Sequence, residues 1–65
     1  MFYANELVCE LVGADSISSP LEGFFEGEMV EVFVDGRRTF RKVYDCRDGL
    51  YVTIRGCKVF YEDFN

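Results

Sequence analysis

The chain has 65 residues, 12 acidic and 7 basic, for a net charge of −5, and it contains no histidine. Its length corresponds to one domain, residues 1–65, near the lower limit for independent folding, since a chain of about 60 residues hides only roughly 60% of its unfolded surface. Without histidine there is no conventional base for a Ser or Cys nucleophile, and the chain is not expected to be an enzyme.

Other exclusions follow from the same composition. The cysteines are three, Cys9, Cys46 and Cys57. An odd count argues against a disulfide framework, and their spacing is not that of a zinc site. Cys46 and Cys57 are expected at opposite ends of one strand, too far apart to bridge. Cys46 beside Arg47 reads as an inert thiol near a turn. No glycine-rich phosphate loop is present, and no cofactor or metal is expected. No apolar run approaches the ~20 residues that cross a bilayer. The opening Met1-Phe2-Tyr3-Ala4-Asn5-Glu6 lacks the basic and apolar stretches of a secretory leader. Reduced thiols and the cytoplasm of a host cell are the expected setting.

Residues 3–12 have the spacing of a helix. Ala4, Leu7, Val8, Leu11 and Val12 recur at i, i+3, i+4, i+7 and i+8, and Gly13 suits a left-handed C-terminal cap. Residues 14–27 read as a Ser- and Gly-rich connector. Within it, Ser19-Pro20-Leu21-Glu22 has capping-box spacing and predicts a short helical turn, with Phe24 and Phe25 pinning the segment to the core.

Residues 28–61 change to an alternating pattern. Val30, Val32 and Val34 fall on one face, Asp35-Gly36 is a hairpin signal, residues 38–45 form the next strand, and Asp48-Gly49 marks the next turn. Leu50, Val52 and Ile54 alternate with Tyr51, Thr53 and Arg55, and Lys58–Tyr61 follows Gly56-Cys57. With these dipeptides as loops, Val43 comes opposite Ile54, and Ile54 opposite Val59. The inner face then holds Val30, Val32, Val43, Val52, Ile54, Val59 and Tyr61, and the outer face Phe40, Lys42, Tyr44, Tyr51, Arg55, Lys58 and Phe60. The fold class expected is α+β, an N-terminal α-helix packed as a lid on a four-stranded antiparallel β-meander.

The charges are segregated along the chain. Residues 1–36 carry eight acidic groups and no basic one; residues 37–65 carry all seven basic groups and four acidic, so the halves are −8 and +3 and together give −5. Part of this is internal pairing, with Glu31 expected opposite Arg41 at a gain of about 0.2–1 kcal/mol. A solvated, solubilising face is one reading of the remainder. The other is a docking surface for a basic partner, made of Glu6, Glu10, Asp15, Glu22, Glu26, Glu28 and Glu31. Glu6 and Glu10, one helical turn apart, hold their Cβ atoms roughly 5–6 Å from each other. Carboxylates so spaced can take the place of a nucleic-acid strand in a basic channel.

Two alternatives use the outer sheet face. Phe40, Tyr44, Tyr51 and Phe60 suit a protein–protein module or a homodimer. The same rings with the neighbouring Arg and Lys suit weak single-strand nucleic-acid binding, which the net charge opposes, so direct nucleic-acid contact is not expected.

In size, acidity and architecture the chain resembles the small acidic inhibitors that phages use against host defence, anti-CRISPR proteins above all. The likeness rests on Glu6, Glu10, Asp15, Glu22, Glu26, Glu28 and Glu31 on a one-helix meander turned at Asp35-Gly36, and on no shared motif. It implies a non-catalytic protein, with no membrane association, that blocks a basic nucleic-acid site on a partner such as a Cas effector subunit. The seven basic residues depart from a pure nucleic-acid mimic and leave the aromatic face open as the gripping surface.

Overall fold

The computed structural model describes residues 1–64. The chain folds as α+β, with one helix and a four-stranded antiparallel sheet, joined by a second, three-stranded sheet. The elements in order are β1 (Phe2–Tyr3), α1 (Glu6–Val12), β2 (Ala14–Ile17), a 3-10 turn (Leu21–Gly23), β3 (Met29–Val34), β4 (Arg37–Lys42), β5 (Tyr44–Cys46), β6 (Gly49–Ile54), β7 (Cys57–Phe60) and a final 3-10 turn (Tyr61–Asp63). Strands β1-β2-β3-β4 make one sheet and β5-β6-β7 the other, with antiparallel pairing throughout.

The single meander expected over 28–61 is therefore divided, and the division lies at Val43. This residue is completely buried. Its N–H donates to the Glu28 carbonyl, and its own carbonyl accepts from the Gly27 N–H, both at 2.8 Å. These two bonds hold the long strand against the entrance to β3 while the chain bends out of the first sheet into β5. A strand that changes sheets at a bend is how two packed sheets make a corner. The first sheet is completed instead from the N-terminal side by β1 and β2.

Two of the expected boundaries move for the same reason. The helix begins at Glu6 rather than residue 3, because Phe2 and Tyr3 pair with Ile17 and Ser16 in β2, and the Ala4 N–H donates to the Asp15 carbonyl at 2.8 Å. Residues 14–17 of the expected connector are a strand, made irregular by a register shift between Ala14 and Ser16. Gly13 does cap the helix, with φ 72° and its N–H on the Cys9 carbonyl at 2.8 Å. The short helical turn is present as a 3-10 turn that follows Pro20 with no side-chain cap. Phe24 packs on the core, whereas Phe25 is 79% exposed.

The hairpin registers shift without moving a side chain to the wrong face. The Asp35-Gly36 turn is as expected, with Val34 opposite Arg37. The other two turns come one residue earlier than their dipeptide signals: Cys46 faces Gly49 across Arg47-Asp48, and Ile54 faces Cys57 across Arg55-Gly56. Moving a turn by one residue displaces cross-strand partners by two, and side chains alternate with a period of two. Ile54 thus lies opposite Cys57, not Val43 or Val59, yet still points inward.

The inner-face valines and Ile54 are buried, joined by Val12, Ala14, Ile17, Leu21 and Phe64, and Tyr61 packs at the edge of this core. Val52, Ile54 and Val59 of the second sheet share this one core with Val30 and Val32 of the first. The helix is not the lid: only Val12 is buried and Val8 partly so, while Leu7 is 66% exposed and Leu11 71%. The chain end is tied back to its start, by an isolated bridge between Ala4 and Phe64 and by the Asn5 N–H on the Asp63 carbonyl at 2.8 Å.

Candidate functional site

The seven acidic residues that the sequence groups together occupy several environments. Glu6 and Glu10 are exposed on the helix. At 100° per residue they stand between the exposed Leu7–Leu11 flank and the Cys9 flank, facing away from the core contact made by Val8 and Val12. Asp15 is engaged locally, accepting from the Gly36 N–H and lying 3.9 Å from the Cys9 Sγ. Glu26 accepts from the Asp45 N–H at 3.3 Å and Glu28 from the Phe25 N–H at 2.6 Å. Glu31, half-buried, accepts from the Ser18 hydroxyl at 2.5 Å and pairs with Arg38 at 3.5 Å. Its cross-strand partner is Phe40, so the expected Glu31–Arg41 juxtaposition does not occur; Arg41 lies opposite Val30.

Glu22 belongs to a groove. Leu21 and Glu22 on the first 3-10 turn, Asp48, Gly49 and Leu50 at the β5–β6 hairpin, and Phe60, Tyr61 and Glu62 after β7 enclose a volume of about 430 Å³. Its walls are mostly apolar, and three carboxylates line it. Asp48 and Glu62 lie in the half of the chain that sums to +3, and the charge count by halves concealed them. One backbone and one side-chain hydrogen bond connect this groove to the helix, because Asn5 donates from its N–H to the Asp63 carbonyl and from Nδ2 to the Glu62 carbonyl at 3.3 Å. The start of the helix and the groove thus meet at the final 3-10 turn, which itself carries Glu62 and Asp63.

The aromatic face assembles largely as the alternation suggests. Tyr44 and Tyr51 stack with centroids 5.5 Å apart and planes 22° apart, and Tyr51 meets Phe60 at 5.4 Å. Lys58 stands over the Tyr51 ring at 5.0 Å, Lys42 over Tyr44 at 5.8 Å and Arg38 over Phe40 at 5.9 Å. Phe40 is half exposed and lies outside the Tyr44–Tyr51–Phe60 ladder. Arg55 has left this face to pair with Asp35.

Among the described residues no group of His, Cys, Asp and Glu is arranged to hold a metal ion, and the three cysteines are free. No helix is long and apolar enough to cross a membrane. Neither a protein-family model, nor a curated protein, nor a solved structure matches the chain.

Proposed function

We propose that this protein is a non-enzymatic inhibitor of the anti-CRISPR type, which docks on a basic, nucleic-acid-handling surface of a partner protein in the host cytoplasm. The observation that carries this reading is the exposure of Leu7 and Leu11 beside Glu6 and Glu10. An apolar helix stripe normally turns to the core, yet the fold covers only its Val8–Val12 side. Exposed apolar area rimmed by charge is the composition of a contact surface. The leucines supply burial, and the carboxylates select a partner with a basic rim and speed the encounter.

The groove at Glu22, Asp48 and Glu62 borders the final 3-10 turn to which the start of the helix is tied. Its apolar walls and carboxylates suit the stem and head of a partner Lys or Arg side chain. Asp15, Glu26, Glu28 and Glu31 contribute mainly to the fold through the hydrogen bonds described above, so the docking contribution is assigned to Glu6, Glu10 and Glu22.

The test is competition. Cas effector complexes are incubated with labelled target DNA and increasing amounts of the protein, and DNA binding is followed by gel shift. The wild type is expected to block DNA binding by at least one effector. The Glu6→Lys, Glu10→Lys double variant and the Leu7→Ala, Leu11→Ala double variant are each expected to weaken the block at least tenfold, about 1.4 kcal/mol of binding free energy. Undiminished blocking by both variants disproves docking through the helix.

A further inference from the structure

The outer face of the second sheet carries a surface that helix docking does not use. Tyr44, Tyr51 and Phe60 cross three neighbouring strands as one continuous ladder. Lys42 and Lys58 stand over its two tyrosines, and among the described residues neither lysine has a carboxylate within ion-pair distance. Along the bent path of β4 and β5, Lys42 and Tyr44 flank the buried Val43 and so point outward together.

We infer that this ladder binds short stretches of single-stranded nucleic acid, weakly and without sequence preference. Every base offers a π-face to stack on a ring, and every nucleotide offers a negative charge for a lysine. When a base arrives, the lysine swings off the ring it covers, and its ammonium meets the flanking phosphate. A second copy of this chain is a poorer occupant. A two-fold interface sets the same patch against itself, and here that crowds the two lysines of one copy into the same contact as the two of the other.

The surrounding acids limit the site. Glu31 faces Phe40 and neutralises Arg38, Asp45 follows Tyr44, and beyond Phe60 lie Glu22, Asp48 and Glu62 of the groove. Contact is confined to the stretch from Lys42 through Tyr44 and Tyr51 to Lys58. The net charge of −5 opposes approach from a distance, but at physiological salt this repulsion is screened within about 8–10 Å, so contacts inside the ladder decide binding.

The experiment is fluorescence anisotropy of a labelled oligothymidylate about a dozen nucleotides long, within the roughly 4–16 nucleotides that small sheet modules cover. Saturable binding is expected with a dissociation constant no weaker than about 100 µM. With two lysines engaged, affinity should fall about sevenfold between roughly 50 and 200 mM salt. Tyr51→Ala is expected to weaken binding about five- to 150-fold, the range for removing one stacking ring. The surface pair Lys42→Glu, Lys58→Glu, which leaves the rings and core in place, should abolish it. No anisotropy change at low salt, or binding that survives the lysine reversal, overturns the inference. So does a concentration-dependent dimer that Tyr51→Ala dissolves, since the ladder is then a self-association face.

Discussion

Asp35 and Arg55 hold equivalent positions in two different hairpins, and their side chains form an ion pair with each other. Each is the first residue of a two-residue turn, each has φ 53°, and each is followed by a glycine of positive φ, Gly36 at 77° and Gly56 at 79°. Asp-Gly is a standard occupant of such a turn, whereas Arg in the left-handed region pays roughly 1–2 kcal/mol in Cβ sterics. The ion pair is exposed on both sides and contributes about 0.2–1 kcal/mol. Arg55→Ala loses the pair and keeps most of the strain. Arg55→Asn loses the pair but tolerates the left-handed conformation. In urea unfolding the Asn variant is therefore expected to be more stable than the Ala variant by about 1 kcal/mol. Equal stabilities would show that the turn carries no strain at position 55.

Gly13 is constrained from two directions. It caps the helix at φ 72°, and a Cβ placed on it would collide with the Asp35 carboxylate, whose backbone N–H donates to the Gly13 carbonyl at 2.9 Å. Gly13→Ala is expected to cost about 1–2 kcal/mol through the backbone alone, and more because Asp35 must shift away from Arg55. For a domain of this size each kcal/mol lowers the melting temperature by roughly 4–8 °C. A double-mutant cycle separates the two costs. In an Asp35→Gly background the collision is absent, so the remaining cost of Gly13→Ala should fall to its backbone part. An undiminished cost in that background would show that the contact with Asp35 is not the obstacle.

The helix gives a sharper contrast, because Leu11 and Val12 are adjacent in sequence and opposite in environment. The apolar stripe predicts that both are buried. The structure buries Val12 at 3% exposure and leaves Leu11 at 71%. Leu11→Ala is expected to change stability by no more than about 0.5 kcal/mol, as for surface sites generally. Val12→Ala should cost about 1.5–3 kcal/mol, the loss of two methyl groups plus the residual cavity. Chemical denaturation of the two variants checks this. A comparable loss at both positions would mean that the helix lies face-down on the sheet, and would remove the exposed leucines on which the proposed docking rests.

The parts of the fold readable from sequence are those fixed by strict alternation. Val30, Val32, Val52, Ile54 and Val59 point inward whichever of the neighbouring turns is used, because a two-residue slip preserves the facing. The ladder of Tyr44, Tyr51 and Phe60 follows from the same parity. What could not be read depends on contacts distant in sequence. Tyr3 falls inside the expected helix, and it and Phe2 are strand residues only because Ser16 and Ile17 are beside them. The bend at Val43 has no glycine or proline to announce it and is held by the Gly27 and Glu28 backbone. For the site, the exposure of Glu6 and Glu10 was legible, but the carboxylates that join Glu22 in the groove, Asp48 and Glu62, were not. They come from a segment whose net charge is positive, and charge summed along a chain does not report charge summed over a surface.

The cysteines test the register of the second sheet. Cys46 pairs with Gly49, the first residue of β6, and Cys57 pairs with Ile54, the last. They thus lie on two strands, β5 and β7, at opposite ends of β6, rather than on one strand. Five residues of extended chain separate these ends by about 16 Å, far beyond the roughly 7 Å between Cα atoms that a disulfide tolerates. Cys9 and Cys57 are exposed, while Cys46 is half-buried with its S–H donating to the Gly49 carbonyl at 3.5 Å. An aromatic disulfide reagent is therefore expected to titrate two thiols quickly and the third slowly, with Cys46→Ser removing the slow phase. Denaturant should merge the phases, since the slow thiol is limited by access. Mild oxidation followed by peptide mapping should yield no Cys46–Cys57 bridge within one chain. Recovery of that bridge from folded protein would show that β5 and β7 are not separated by β6, and the ladder built across the three strands would be lost with them.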